Sequence, residues 1–167
     1  AKEDRLRVFL TDSLHSVSEV KNLTLFTDWL TRESSDAQQC KSSPMSVILG
    51  NPPYSQYSAN LTDEARQLVT RYRFVDGQRI SERNALQLER NINDDYVKFF
   101  ALCENFASKL PAALLSLVTN RTYLWSPSLR GLRSSLCSTF QIREVVDLQG
   151  AAIRGDVRLR DAGDENV

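Results

Sequence analysis

The segment Val47-Ile48-Leu49-Gly50-Asn51-Pro52-Pro53-Tyr54-Ser55-Gln56-Tyr57-Ser58 decides how this chain is read. Val47, Ile48 and Leu49 make a short apolar run closed by a glycine, the composition of a buried strand. Two successive prolines follow at once. They fix φ and delete two N–H donors, so the ladder stops and a stiff corner begins. Three other runs share the strand character: residues 7–10 (RVFL), 113–119 (ALLSLVT) and 142–149 (IREVVDLQ).

Helical spacing fills the intervals. Asn93-Asp94-Asp95 opens one helix, and Tyr96, Phe99, Phe100, Cys103 and Phe106 then recur three and four residues apart on one face. Pro111 lies beyond its end. A second helix starts near Ser126-Pro127, with proline at its first position, and carries Leu129, Leu132, Leu136 and Phe140 on one face. A third is placed near residues 62–72. Strand, helix and strand in alternation predict an α/β fold with a mostly parallel sheet and flanking helices. The Ser-rich stretch 31–43 (TRESSDAQQCKSS) reads as a surface loop. The remainder of 57–93 reads as a long charged loop, of a length that is more often functional than idle. The charged, Gly-containing end 154–167 reads as a flexible tail.

Composition narrows the class. A chain of 167 residues, 41% of them hydrophobic, is one domain's worth and can bury a core. Six glycines and five prolines exclude a collagen-like or Pro/Gly-rich disordered chain. No apolar run reaches the ~18 residues of a membrane span, so no membrane partner is expected. The opening AKEDRLRVFL does not resemble a signal peptide. Cys40, Cys103 and Cys137 are scattered and odd in number, which argues against disulfides and zinc and for reduced thiols in a cytoplasmic protein. The single histidine, His15, has no catalytic partner at a recognisable spacing, and no metal site is expected. Lysine plus arginine equals aspartate plus glutamate at 21 each. A domain that alone grips a nucleic-acid backbone is usually basic. Neutrality therefore confines any phosphate-binding surface to a local patch or to other chain.

The corner after the strand carries the chemistry. In open α/β sheets ligands sit beyond the carboxyl ends of strands. There the Asn51 amide oxygen and the Pro52 carbonyl could accept both hydrogens of one exocyclic amino group. Tyr54 offers a face for a planar base, worth ~1–3 kcal/mol in stacking. The same four residues also make an ordinary turn. Asp12, just past the first apolar run, is a good helix N-cap. Tyr96 and Phe99 read as core, Phe99 the more strongly. Arg130 and Arg133 read as solvated surface rather than phosphate contacts.

Asn51-Pro52-Pro53-Tyr54 resembles the catalytic signature of the gamma-type N6-adenine DNA methyltransferases. Gly50 to Ser55, Arg73 to Gly77, Glu82-Arg83-Asn84, Asp94 to Phe99, Asp147-Leu148 and Asp164 to Val167 follow one another as in one subgroup. These are the single-chain restriction-modification enzymes in which a helicase-like translocase is fused to the methyltransferase. The resemblance covers nearly the whole chain. It implies a Rossmann-like fold using S-adenosylmethionine, with DNA as partner and a flipped adenine as target. It implies that Asn51, Pro52, Pro53 and Tyr54 are catalytic, and that Asp12, Tyr96 and Phe99 bind the cofactor's adenine. Residues 117–124 then correspond to the next strand and its exit loop, on the target-base side.

The sequence departs from that family in lacking a Gly-rich turn for the methionine end of the cofactor and a DNA target-recognition region. Residues 1–150 are therefore expected to be the central and C-terminal part of a catalytic domain. Within it 57–93 is a charged insertion, and 151–167 lead to an absent segment. Such a piece is expected to be inactive by itself, to bind S-adenosylmethionine only once the Gly-rich segment precedes it, and to self-associate through an exposed sheet edge. Two other readings stand beside this one. The fold could be kept as a non-catalytic module that docks DNA or a partner subunit, or it could be a structural α/β domain with an incidental diproline turn.

Overall fold

The computed structural model describes residues 8–9, 13–14, 27–54, 58, 60, 62–141 and 144–148, with backbone alone for 27–34. In chain order the elements are α1 (Thr27–Ser42), β1 (Val47–Gly50), α2 (Asp63–Leu68), β2 (Phe74–Val75), β3 (Gln78–Arg79), α3 (Ala85–Ile92), α4 (Asp95–Ala107), β4 (Leu114–Leu117) and α5 (Arg130–Thr139). Short 3₁₀ turns cover Thr70–Arg73, Arg121–Leu124 and Pro127–Leu129.

Strands β1 and β4 pair in parallel, in a register running from Val47 opposite Leu114 to Gly50 opposite Leu117. The ladder continues one step beyond, where the Val118 amide donates to the Gly50 carbonyl at 2.9 Å. Both strands therefore exit on one edge, side by side. The chain is mixed α/β with a small parallel sheet. The expected strands at 7–10 and 142–149 fall partly outside the described residues. What is described of them, Val8, Phe9 and residues 144–148, belongs to no strand. Val145, Val146 and Leu148 are all exposed. An apolar run with no buried face and no ladder partner has nothing to hold it as a strand. Val47, Leu49 and Leu114 are also exposed, on the small sheet itself.

Residues 31–42 of the expected loop are helical. They form most of α1, and Ala37 within them is buried. Serine suggested a break, but Glu33, Ala37, Gln38, Gln39 and Lys41 are good helix formers, and contact with the fold outweighs the propensity of the serines.

The helix expected near residues 62–72 is present as α2 and the 3₁₀ turn after it, but the described residues from 74 to 93 are not the expected long loop. Thr62 caps α2 by accepting from the Ala65 amide, and Asp63 and Glu64 occupy its first turn, where acidic residues suit the helix dipole. Strands β2 and β3 form a hairpin whose turn is Asp76-Gly77, at φ of 50° and 76°. Two successive left-handed residues make the tight turn that Asp-Gly favours. Asn84 caps α3 through the Gln87 amide, and Leu88 and Ile92, four residues apart, bury its inner face.

Those segments supply much of the core. Val69, Tyr72, Ile80, Leu88 and Ile92 pack with Tyr96, Val97, Phe100 and Ala101 of α4 and with Leu129, Leu132 and Leu136 at α5. Gly131 lets α5 lie directly on the 70–73 turn, because a Cβ there would sit 2.0 Å from the Tyr72 carbonyl oxygen. A polar knot locks the same junction. Buried Glu104 accepts from the Tyr72 hydroxyl at 2.6 Å and from the Ser135 hydroxyl at 2.9 Å, and pairs with Arg71 at 3.0 Å. Every partner it needs is present, as burial of a charge requires. Arg133 donates to the carbonyls of Tyr123 and Ser126 at 2.7 and 2.8 Å, and Arg130 pairs with Glu82. These arginines are fold contacts rather than freely solvated charges. Among the described residues no helix is long and apolar enough to cross a membrane.

Candidate functional site

A cavity of about 370 Å³ opens against β1 and the corner that follows it. This is within the range of small-molecule sites. One wall is Ile48, Leu49, Gly50, Asn51, Pro52 and Pro53, and Leu117 of β4 stands beside it. The opposite wall is a stripe of α4: Phe99, Leu102, Cys103 and Phe106. Ala37, Cys40 and Lys41 of α1 form a third side with Met45, and Phe9 and Ser13 complete it. The site is thus apolar, with a few polar groups at its margin.

Helix α4 is buried on two sides, which explains its sequence. Tyr96, Val97, Phe100 and Ala101 face the core. Phe99 and Phe106 are only partly buried and face the cavity. The two aromatics expected beside a cofactor therefore part company. Tyr96 is 2% exposed, packs edge-on to Phe100 and does not line the cavity, whereas Phe99 does. This reverses the order in which the sequence ranked them as core. Burial, with the charge of Asp94 and the neighbouring Tyr123 hydroxyl, pushes the Tyr96 hydroxyl above its ordinary value, so it holds its proton at neutral pH. Asp12 and His15 lie outside the described residues.

At the corner itself Pro52 is buried, while Asn51 and Pro53 are exposed on the rim. Tyr54 is 46% exposed and stands outside the cavity, but its hydroxyl donates to the Asn51 Oδ1 at 2.9 Å. An amide oxygen has two lone pairs, so one acceptor position remains for a ligand. Of the four corner residues, the fold brings three to the cavity and ties the fourth to Asn51. Beyond β4, the Thr119 hydroxyl is buried with no hydrogen-bond partner among the described residues. Thr119 is not among the residues that line the cavity.

Three contributors were not singled out from sequence. Cys40 and Lys41 were hidden by reading α1 as a loop. The third, Lys98, is fully buried. Its signal was a lysine set between Val97 and Phe99-Phe100, three residues after Asp95, where a solvated lysine does not belong. Burial pushes the Cys103 thiol up to about 11, with the Glu104 charge adding to the shift. Cys103 lines the cavity as a small apolar group rather than a nucleophile.

Comparison of the chain with protein-family models, with curated proteins and with solved structures finds no match.

Proposed function

We propose that the Asn51-Pro52-Pro53-Tyr54 corner holds the exocyclic amine of an adenine for methylation at N6, as in the DNA adenine methyltransferases its sequence resembles. The supporting observation is the position of Asn51 on the rim, and of Pro52 in the wall, of an apolar cavity at the exit of a parallel strand pair. The diproline holds the backbone, and the Tyr54 hydroxyl orients the Asn51 amide. Two oxygen acceptors on the amine hydrogens favour a pyramidal nitrogen whose lone pair is free to attack. Tyr54, exposed beside the rim, provides a stacking face for a base that has left its duplex.

The partner chemistry is a sulfonium methyl donor, S-adenosylmethionine, which supplies an electrophilic methyl group when bound. Phe99 and the apolar wall suit the flat adenine of that cofactor. Among the described lining residues there is neither a carboxylate for its ribose nor a Gly-rich turn for its methionine end. The fit therefore extends to the base alone. The same observation favours a second reading, in which the corner binds an adenine without modifying it.

The test compares single strands that differ in one base, adenine against purine, which lacks the amino group. Fluorescence anisotropy should show adenine bound roughly three- to tenfold more tightly, the worth of one or two net hydrogen bonds. The preference should vanish in Asn51→Ala. Equal affinity for the two strands in the unaltered chain would overturn both readings. Transfer of labelled methyl from S-adenosylmethionine to adenine N6 separates the first from the second.

A further inference from the structure

Lys98 is the one charged side chain with no exposure in the described core, and the groups around it all concern one segment. Its Nζ donates to the Ser58 hydroxyl oxygen at 2.6 Å and to the Asn60 carbonyl at 2.6 Å. It lies 3.5 Å from the Asp95 Oδ1. Asp95, itself 5% exposed, accepts from the Ser58 hydroxyl at 2.5 Å and from the Asn60 Nδ2 at 3.1 Å. Ser58 also accepts from the Asn60 amide at 3.0 Å. Every donor on the ammonium therefore has an acceptor, and the Ser58 oxygen is used as both donor and acceptor. Burial opposes the charge on Lys98, while Asp95 and Asp94 favour it.

The arrangement is costly for simple stability. A buried ion pair is seldom better than well-packed apolar residues of similar size. What it gains here is position. Three residues lie between Tyr54 and Ser58, and Thr62 then caps α2. The chain beyond the diproline corner is thus held again at Ser58 and Asn60, ahead of the next helix. Both anchors lie on α4: Phe99 faces the corner across the cavity, and the adjacent Lys98 grips the segment beyond it.

We propose that Lys98, with Asp95, is a positioning residue that pins Ser58 and Asn60 to α4 and so sets where Asn51 and Tyr54 meet the base. This rests on the reading of Asn51 as the amine-holding group. Lys98 touches neither base nor cofactor; it acts through the backbone of the loop.

The experiment uses the full chain in three forms: unaltered, Lys98→Met, and the double variant Asp95→Asn with Lys98→Met. Lys98→Met alone leaves a buried carboxylate uncompensated and can lose the fold. The double variant removes both charges and keeps shape. Amide exchange is read by mass spectrometry for peptides spanning 54–60 and, as a reference for the core, for α5. In the double variant exchange over 54–60 should quicken by roughly tenfold while α5 stays protected, the mark of local rather than global opening. The adenine-over-purine preference should fall towards unity in that same folded variant. Unchanged exchange over 54–60 overturns the clamp. Quickened exchange with an intact preference overturns its role in positioning. Absence of any preference in the unaltered chain overturns the reading of Asn51 instead, and exchange then decides the clamp alone.

Discussion

The Tyr54 hydroxyl reaches back across two prolines to donate to the Asn51 amide oxygen at 2.9 Å. The acceptor proposed to hold a base is thus already oriented by its own loop. Tyr54→Phe keeps the ring and removes this bond. Because the pair is exposed, stability should change by no more than about 0.5 kcal/mol. The adenine-over-purine preference should fall by roughly two- to threefold, as the amide loses its orientation. Tyr54→Ala removes the stacking face as well and should weaken binding of both strands by about tenfold or more. Anisotropy titrations of the two variants check this. A Tyr54→Ala chain that binds as tightly as the unaltered one would remove the tyrosine from the site.

The cysteines report on the cavity independently. Cys40 and Cys137 are exposed, and Cys103 is buried with its thiol raised to about 11. At pH 8 only about a thousandth of such a thiol is thiolate, the reactive form. Iodoacetamide should therefore modify Cys40 and Cys137 in the folded chain and reach Cys103 only after denaturation. Cys40 also lines the cavity, so a bound adenine-containing strand should slow its modification and leave Cys137 unaffected. Peptide mass mapping with time reads both effects, and equal labelling of all three would contradict the burial.

How much of this was legible in the sequence depends on which residues carry the signal. The strand Val47–Gly50, the diproline corner, the α4 face and the Pro127 helix start were readable, because periodicity and proline chemistry act locally. Helix α1 was not, since a serine-rich composition masked helix formers whose burial depends on distant chain. The hairpin was missed despite a local signal: Val75-Asp76-Gly77-Gln78 is a two-residue turn between short strands. The part of the core built from Tyr72, Ile80 and Ile92 followed from neither pattern nor charge. It exists because the 70–80 segment folds back onto α4 and α5, a tertiary fact. The division of Tyr96 and Phe99 between core and cavity has the same origin, since both sit on apolar faces of one helix and only the packing tells the faces apart.

Gly131 offers a test in which two physical effects have opposite signs. It lies within α5, where replacing glycine by alanine would ordinarily stabilise a helix by up to about 1 kcal/mol. Here the new Cβ would lie 2.0 Å from the Tyr72 carbonyl oxygen and 2.7 Å from its carbon. Backbone cannot rotate aside as a side chain can, so α5 must lift from the 70–73 turn. Gly131→Ala should destabilise by about 1–3 kcal/mol, the usual cost of overpacking. Urea denaturation followed by tryptophan fluorescence gives the sign. A stabilised variant would mean that α5 does not seat on Tyr72 as described.

Glu89 and Arg73 tie α3 to the same turn, and their pairing makes a pH prediction. Arg73 donates through Nε and Nη2 to the two Glu89 carboxylate oxygens at 3.0 and 2.7 Å. This bidentate bond holds the Glu89 carboxyl below its ordinary 4.5, against a smaller opposing effect of burial. A folded-state pKa below the unfolded one means that the stabilisation is complete above 4.5 and fades as pH falls through the lower folded value. The Glu89 side chain is 44% exposed, so solvent screening limits the pair to less than about 1 kcal/mol. Glu89→Gln should accordingly be less stable than the unaltered chain at pH 7. The gap should close in acid, once pH has fallen below the lowered folded value and the native carboxyl is protonated, and narrow at pH 7 in high salt. Urea midpoints measured at pH 7 and through the acid range follow it. A gap of equal size throughout would assign the effect of the substitution to lost packing, and the Arg73–Glu89 charge pair would contribute nothing to holding α3 against the turn.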